Sequence, residues 1–119
     1  MAVQPKLLNP IVRAIETNAS EVEDAIPSQP SLAEGLAIAK PVRWKRILEA
    51  IRASGGTALD VTEEEIVEGQ GQLARLGLYA EPSSAVVWAA LMKIRQNASP
   101  NDVFLIPLTG SGLKGAPKI

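Results

Sequence analysis

The 119-residue chain contains no cysteine and no histidine. The first absence excludes a disulfide framework and any thiolate metal centre. The second removes the commonest metal ligand and the side chain that titrates near neutrality. Chemistry in this chain must use Lys, Asp, Glu, Ser, Thr or Tyr, or a cofactor supplied from outside. Aromatic residues are also scarce: Trp44, Tyr79, Trp88 and Phe104 are the whole set, too scattered to form a stacking platform for single-stranded nucleic acid. An excess of either charge is missing as well. Twelve basic and 13 acidic residues give a formal net charge of -1, so phosphate backbones and anionic membranes meet no electrostatic attraction. No uninterrupted apolar run reaches the roughly 18 residues of a membrane-spanning helix. The opening "MAVQPKLLNP" places proline and asparagine where a signal peptide needs a longer apolar region. A soluble, cytoplasmic protein with no nucleic-acid or membrane partner is the expectation.

What is present is aliphatic. The hydrophobic fraction is 46%, mostly Ala, Ile, Leu and Val. Val3 and Gln4 read as the end of a strand without its beginning. Asn9 reads as an N-cap and Pro10 as the first turn of a short helix carrying Ile11, Val12, Ala14 and Ile15 on its buried side. Residues 20–31, "SEVEDAIPSQPS", hold two prolines and three acids without periodicity, which predicts an exposed loop. Pro41 suits the start of a second helix in which Trp44, Ile47, Leu48 and Ile51 recur at i, i+3, i+4 and i+7. Arg43, Lys45, Arg46 and Arg52 make its other face basic, and a solvated surface accounts for them better than a nucleic-acid site does. Gly55 and Gly56 supply a left-handed stop.

"TALDV", Thr57 to Val61, reads as a strand. Thr62 and Glu65 then form a capping box, with Glu63 and Glu64 on the positive end of the helix dipole. The acids could divide general acid and base roles, but capping uses their position as well as their charge. Gly69 and Gly71 each weaken this third helix by about 1 kcal/mol relative to alanine, which predicts close packing or a bend. "EPSS" opens a fourth helix whose residues Ala85 to Met92 are all apolar, the pattern of a helix buried on every side. "VFLIPL", Val103 to Leu108, reads as a strand of a buried parallel sheet, with Pro107 at an edge or at its end. The order is α/β, with few, mostly parallel strands flanked by about four helices.

"AVQ", "LAEGLAI", "SGG" before "ALDVTEEEI", "GLYAEPSSA" and "LTGSGLK" stand in an order and at separations that resemble the C-terminal part of threonine synthases. These belong to the pyridoxal-phosphate enzymes of the tryptophan synthase β fold, fold type II. The resemblance covers almost the whole chain, so residues 1–119 are expected to be a single C-terminal segment of a three-layer cofactor domain. It implies that the Thr109 hydroxyl faces the pyridine nitrogen of the cofactor, with Gly110, Ser111 and Gly112 beside the ring. It also places Glu81, Ser83 and Ser84 next to the cofactor, at a helix N-terminus whose N–H groups suit an anion. Capping by a serine explains the same residues equally well.

Departures matter too. The lysine that carries the cofactor in this family and the glycine-rich loop that cradles its phosphate do not appear. Lys114 is not that lysine, Gly115 stands where an acid is usual, and Pro107 interrupts a strand that is usually continuous. No catalytic residue and no metal site is therefore expected. The parent reaction converts phosphohomoserine to threonine and phosphate, and the isolated chain is expected to be inactive. Its partner would be a complementary N-terminal half or a second copy. The alternative is a free-standing truncated relative acting as an oligomeric binding or structural module.

Overall fold

Two short strands lie at the centre of the computed structural model, which describes residues 1–115. Strand β1, Ala2–Pro5, pairs in parallel with β2, Ala58–Val61, in the register Ala2 to Ala58 through Pro5 to Val61. Helix α1, Pro10–Glu16, and α2, Trp44–Ala53, pack together on one side. Helices α3, Glu63–Arg75, and α4, Pro82–Ile94, form a closely packed pair on the other. The last four residues of the expected segment lie outside the described ones.

Strand alternation decides which face each side chain serves. Val3, Leu59 and Val61 turn toward Ile66, Leu73, Val86, Ala89 and Ala90 of the α3–α4 pair. Gln4 and Asp60 turn toward α1. Here the expected N-cap is overturned. Asn9 makes no capping hydrogen bond; its Nδ2 donates to Asp60 Oδ2 at 2.6 Å. The Gln4 Oε1 instead accepts from the N–H groups of Ile11 and Val12, at 2.9 and 3.1 Å, so a strand side chain caps the helix that follows it. A second cluster of Ile11, Ala14, Val22 and Leu48, with Trp44, Ile47 and Ile51 against it, closes the α1–α2 side. The apolar spacing of α2 is thus its packing face.

The expected left-handed stop after α2 is present: Gly55 has φ +63° and the Gly56 N–H returns to the Ile51 carbonyl at 2.9 Å. Helix α2 itself begins at Trp44 rather than Pro41, because Arg43 is not helical and a turn from Pro41 precedes it. The loop 20–31 is largely exposed, yet Val22, Ala25 and Ser31 are buried. Glu63 ties down its far end, accepting from Ser31 Oγ at 2.8 Å and from the Leu32 N–H at 2.6 Å.

The capping box at the start of α3 forms as expected, with Glu65 Oε2 taking the Thr62 N–H at 2.8 Å. Of the two α3 glycines, Gly69 is where the helices meet: a Cβ there would lie 3.3 Å from the Ala85 carbonyl oxygen and 3.4 Å from the Ala89 nitrogen. Gly71 has no such neighbour.

Two expectations fail together. Residues 103–108 form no strand, and α4 is not buried on every side, since Val87, Trp88 and Leu91 are only half covered. The reason is shared. A strand needs a hydrogen-bonded neighbour, and the sheet of the described residues ends at β1 and β2, leaving 103–108 unpaired and α4 partly uncovered.

Candidate functional site

The loop 109–115 is docked on the N-terminal end of α4 by its own backbone. Ala80 and Ser111 form an antiparallel bridge. The Glu81 N–H donates to the Gly110 carbonyl at 3.0 Å, and the Gly112 N–H to the Tyr79 carbonyl at 2.9 Å. Ser84, 2% exposed, completes the attachment. Its Oγ accepts the N–H groups of Thr109 and Gly110, both at 2.9 Å, and lies 3.1 Å from Thr109 Oγ1.

These three contacts fix the direction of a proton. A serine hydroxyl has two acceptor lone pairs and one donor hydrogen. Two backbone N–H groups occupy both acceptor positions of Ser84, so Ser84 donates to Thr109 Oγ1. Thr109 then keeps its own hydroxyl hydrogen with no acceptor among the described residues. The result is an exposed donor on a buried anchor, beside a cavity of about 330 Å³ lined by Leu78, Tyr79, Ala80 and residues 108–111.

The two glycines of this loop lie directly against side chains of the α4 entry. A Cβ on Gly110 would collide with the Glu81 carboxylate, and one on Gly112 would come within 2.7 Å of the Tyr79 ring. At Gly112 the missing Cβ lets the loop lie flat on the Tyr79 ring, while at Gly110 the flexible Glu81 carboxylate can give way. Sequence reasoning missed Tyr79, although the chain's one tyrosine standing directly before "AEPSS" was a usable signal.

Thr109, Gly110, Ser111, Gly112, Glu81 and Ser84 thus come together. Ser83 does not join them: its Oγ accepts the Gly35 N–H at 3.1 Å, tethering the turn Glu34–Leu36. Neither serine caps α4, whose N-cap Glu81 makes no side-chain capping bond. Among the described residues the Ser83 N–H alone is left without a partner in the first turn of α4, too little for an anion cradle. Pro82 has no N–H, Ser84 and Ala85 both donate to the Glu81 carbonyl, and the Glu81 N–H is spent on Gly110. Ser111 Oγ serves the loop itself, accepting from Leu113.

At the other end of α3 and α4, Lys93 Nζ sits 2.8 Å from Glu65 Oε2 and 2.9 Å from the Asp60 carbonyl. Burial raises the Glu65 carboxyl, but the Lys93 ammonium, the Thr62 N–H and Lys6 outweigh it and hold the group below the ordinary glutamate range. Glu64 is lowered by its own backbone N–H and by the Thr62 hydroxyl. Both shifts come from capping and pairing, so these acids are structural. Among the described residues no group of acids could hold a metal ion, and no helix is long and apolar enough to cross a membrane.

Comparison with known proteins supplies the context. The family model for pyridoxal-phosphate dependent enzymes matches residues 1–110. Threonine synthase of Methanocaldococcus jannaschii is 38% identical over 117 residues, which cover 94% of this chain and 28% of that protein. The Methanosarcina acetivorans threonine synthase is 43% identical over 86 residues, 71% of this chain and 21% of that one. The chain therefore spans about a quarter of the length of these relatives. Among solved structures, a threonine deaminase from T.th. superposes with a TM-score of 0.65 at 20% identity, over 92% of this chain and 38% of that one, and so shares the fold. With the family match extending over nearly its whole length, the chain belongs to the pyridoxal-phosphate-dependent enzymes.

Proposed function

We propose that this chain is the C-terminal part of a threonine synthase-like cofactor domain, in which the loop 109–112 holds the nitrogen edge of pyridoxal phosphate. The observation that carries the reading is the Ser84–Thr109 pair, which leaves one exposed hydroxyl donor beside an open cavity. An unprotonated pyridine nitrogen is an acceptor, and the outward Thr109 hydroxyl is its complement. The residues fit that edge of the cofactor and no more of it. Lys93 is held by Glu65 and Asp60, and the lone Ser83 N–H at the start of α4 makes no phosphate cradle. On this reading the lysine and the phosphate loop belong to a complementary N-terminal portion, and the isolated 119 residues do not turn over phosphohomoserine.

Pyridoxal phosphate, when bound, supplies an electron sink for carbanion chemistry. The part of this chain is positional. Ser84 fixes the loop and directs the Thr109 proton outward. Thr109, neutral and bound through its hydroxyl, holds the ring edge without forcing a proton onto it. Tyr79 and Glu81 set the loop's height above α4.

Calorimetric titration of pyridoxal phosphate into the chain and into Thr109→Val tests this, with light scattering for the oligomeric state. Saturable binding that weakens in the variant supports the assignment. Equal binding by both proteins, or none by either, counts against it.

A further inference from the structure

Between α1 and α2 the chain runs from residue 17 to residue 43 with no regular element other than the turn Glu34–Leu36. A connection of that length inside a small domain is uncommon and usually functional, so the points where it is fastened carry information. One fastening is Glu63. Its carboxylate takes Ser31 Oγ and the Leu32 N–H, the Ala33 N–H returns to Ser31 Oγ at 3.1 Å, and Ala33 and Leu36 pack into the α3–α4 core. The other is Ser83. Its Oγ takes the Gly35 N–H at 3.1 Å, and glycine permits that approach, since a Cβ on Gly35 would lie 2.9 Å from the same oxygen.

Ser83 and Ser84 are neighbours on the first turn of α4, and each hydroxyl holds a different segment: Ser83 the turn at Gly35, Ser84 the loop at Thr109 and Gly110. Nothing else secures that turn. Glu81 makes no side-chain capping bond, Pro82 has no N–H, and the Ser83 N–H has no partner among the described residues. An uncapped helix end frays readily, so its order depends on the two serine contacts. We propose that the first turn of α4 is a mount shared by both segments, and that Ser83 is thereby a positioning residue for the loop 109–112. By tying the turn to Gly35 it holds Ser84 in place, and through Ser84 the outward Thr109 hydroxyl. The inference rests on the functional reading above for what that hydroxyl holds.

The test follows hydrogen exchange amide by amide in the 119-residue protein and in three variants. Ser83→Ala should speed exchange at Gly35 and, beyond it, at Thr109 and Gly110 by about fivefold, the worth of one hydrogen bond. Gly35→Ala should do the same from the other side, because Gly35 has no left-handed φ and its new methyl group only displaces the Ser83 hydroxyl. Ser83→Thr keeps the hydroxyl and should restore slow exchange at all three amides. Leu32 and Ala33, fastened through Glu63 and Ser31, should keep their protection throughout, which separates release of the pin from general unfolding. Unchanged exchange at Thr109 and Gly110 in Ser83→Ala, or failure of Ser83→Thr to restore it, would overturn the proposal. Pyridoxal phosphate titration of the same proteins separates the two readings. Binding that weakens in Thr109→Val but ignores Ser83→Ala overturns the positioning role alone; no binding by any protein, with the exchange coupling present, upholds the shared mount and sinks the cofactor assignment.

Discussion

Ser84 and Thr109, 25 residues apart, are joined through both backbone and side chain: the Ser84 Oγ takes the Thr109 N–H at 2.9 Å and meets Thr109 Oγ1 at 3.1 Å. With the Gly110 N–H also on Ser84, one hydroxyl organises the whole loop. Ser84→Ala strands two N–H groups, each costing about 1–3 kcal/mol when left unpaired out of water. Hydrogen exchange should show Thr109 and Gly110 losing protection in this variant while the α3–α4 core keeps its own. Thr109→Val, which preserves both N–H bonds, should leave that protection in place. If the two variants behave alike, Ser84 is not the anchor.

The Gly110–Glu81 contact makes a second, opposed pair. Gly110→Ala places a methyl group where the Glu81 carboxylate lies, but that carboxylate is the far end of a flexible, half-exposed side chain that can swing aside, so the variant should cost less than about 1 kcal/mol. Glu81→Ala removes the obstacle. In the double variant the small loss caused by Gly110→Ala should largely vanish, giving a coupling energy of no more than about 1 kcal/mol in chemical denaturation. Additive effects would mean that the clash is relieved elsewhere.

Gly69 and Gly71 look equivalent in sequence and should respond differently. Gly71→Ala gains the full helix preference, about 1 kcal/mol, because the nearest atom is a flexible Arg75 nitrogen 3.6 Å away. At Gly69 the same methyl meets the Ala85 carbonyl at 3.3 Å and α4 backbone that cannot yield, so the gain is cancelled or reversed. Gly69→Leu should cost more than about 2 kcal/mol, since the α3–α4 contact must open. Thermal unfolding of the three variants checks the order.

Much of this fold was legible because local chemistry and burial agree. Thr62 with Glu65 announced a helix start, Gly55 a stop, and the i, i+3, i+4, i+7 spacing of Trp44 to Ile51 a packing face. Each feature acts within a few residues of where it is written. The failures are long-range. Asn9 has an ideal capping side chain, yet Gln4 reaches the helix first and Asp60 claims the asparagine. Val103 to Leu108 has strand composition, but a strand exists only with a neighbour, and the neighbour is not within the described residues. In the site, the motif around Thr109 was visible. Ser84's grip on two N–H groups was not, because it joins residues brought together only by folding.

The Glu65–Lys93 contact makes stability depend on pH with a definite sign. Glu65 is held below its ordinary value of 4.5 in the folded chain, so it contributes stability that is present above that value and is lost as pH falls through the lower folded one. Glu64, lowered as well, is exposed and adds little. Acid titration of unfolding should therefore show stability declining below about pH 4.5, and Glu65→Gln should flatten that decline. The glutamine can still take the Thr62 N–H, so near neutrality the variant should lose no more than about 1 kcal/mol, the worth of an exposed ion pair. Lys93→Met removes the same pairing from the other side and should flatten the acid limb similarly, with the capping box intact. An acid limb unchanged in both variants would show that Lys93 does not hold Glu65 ionised.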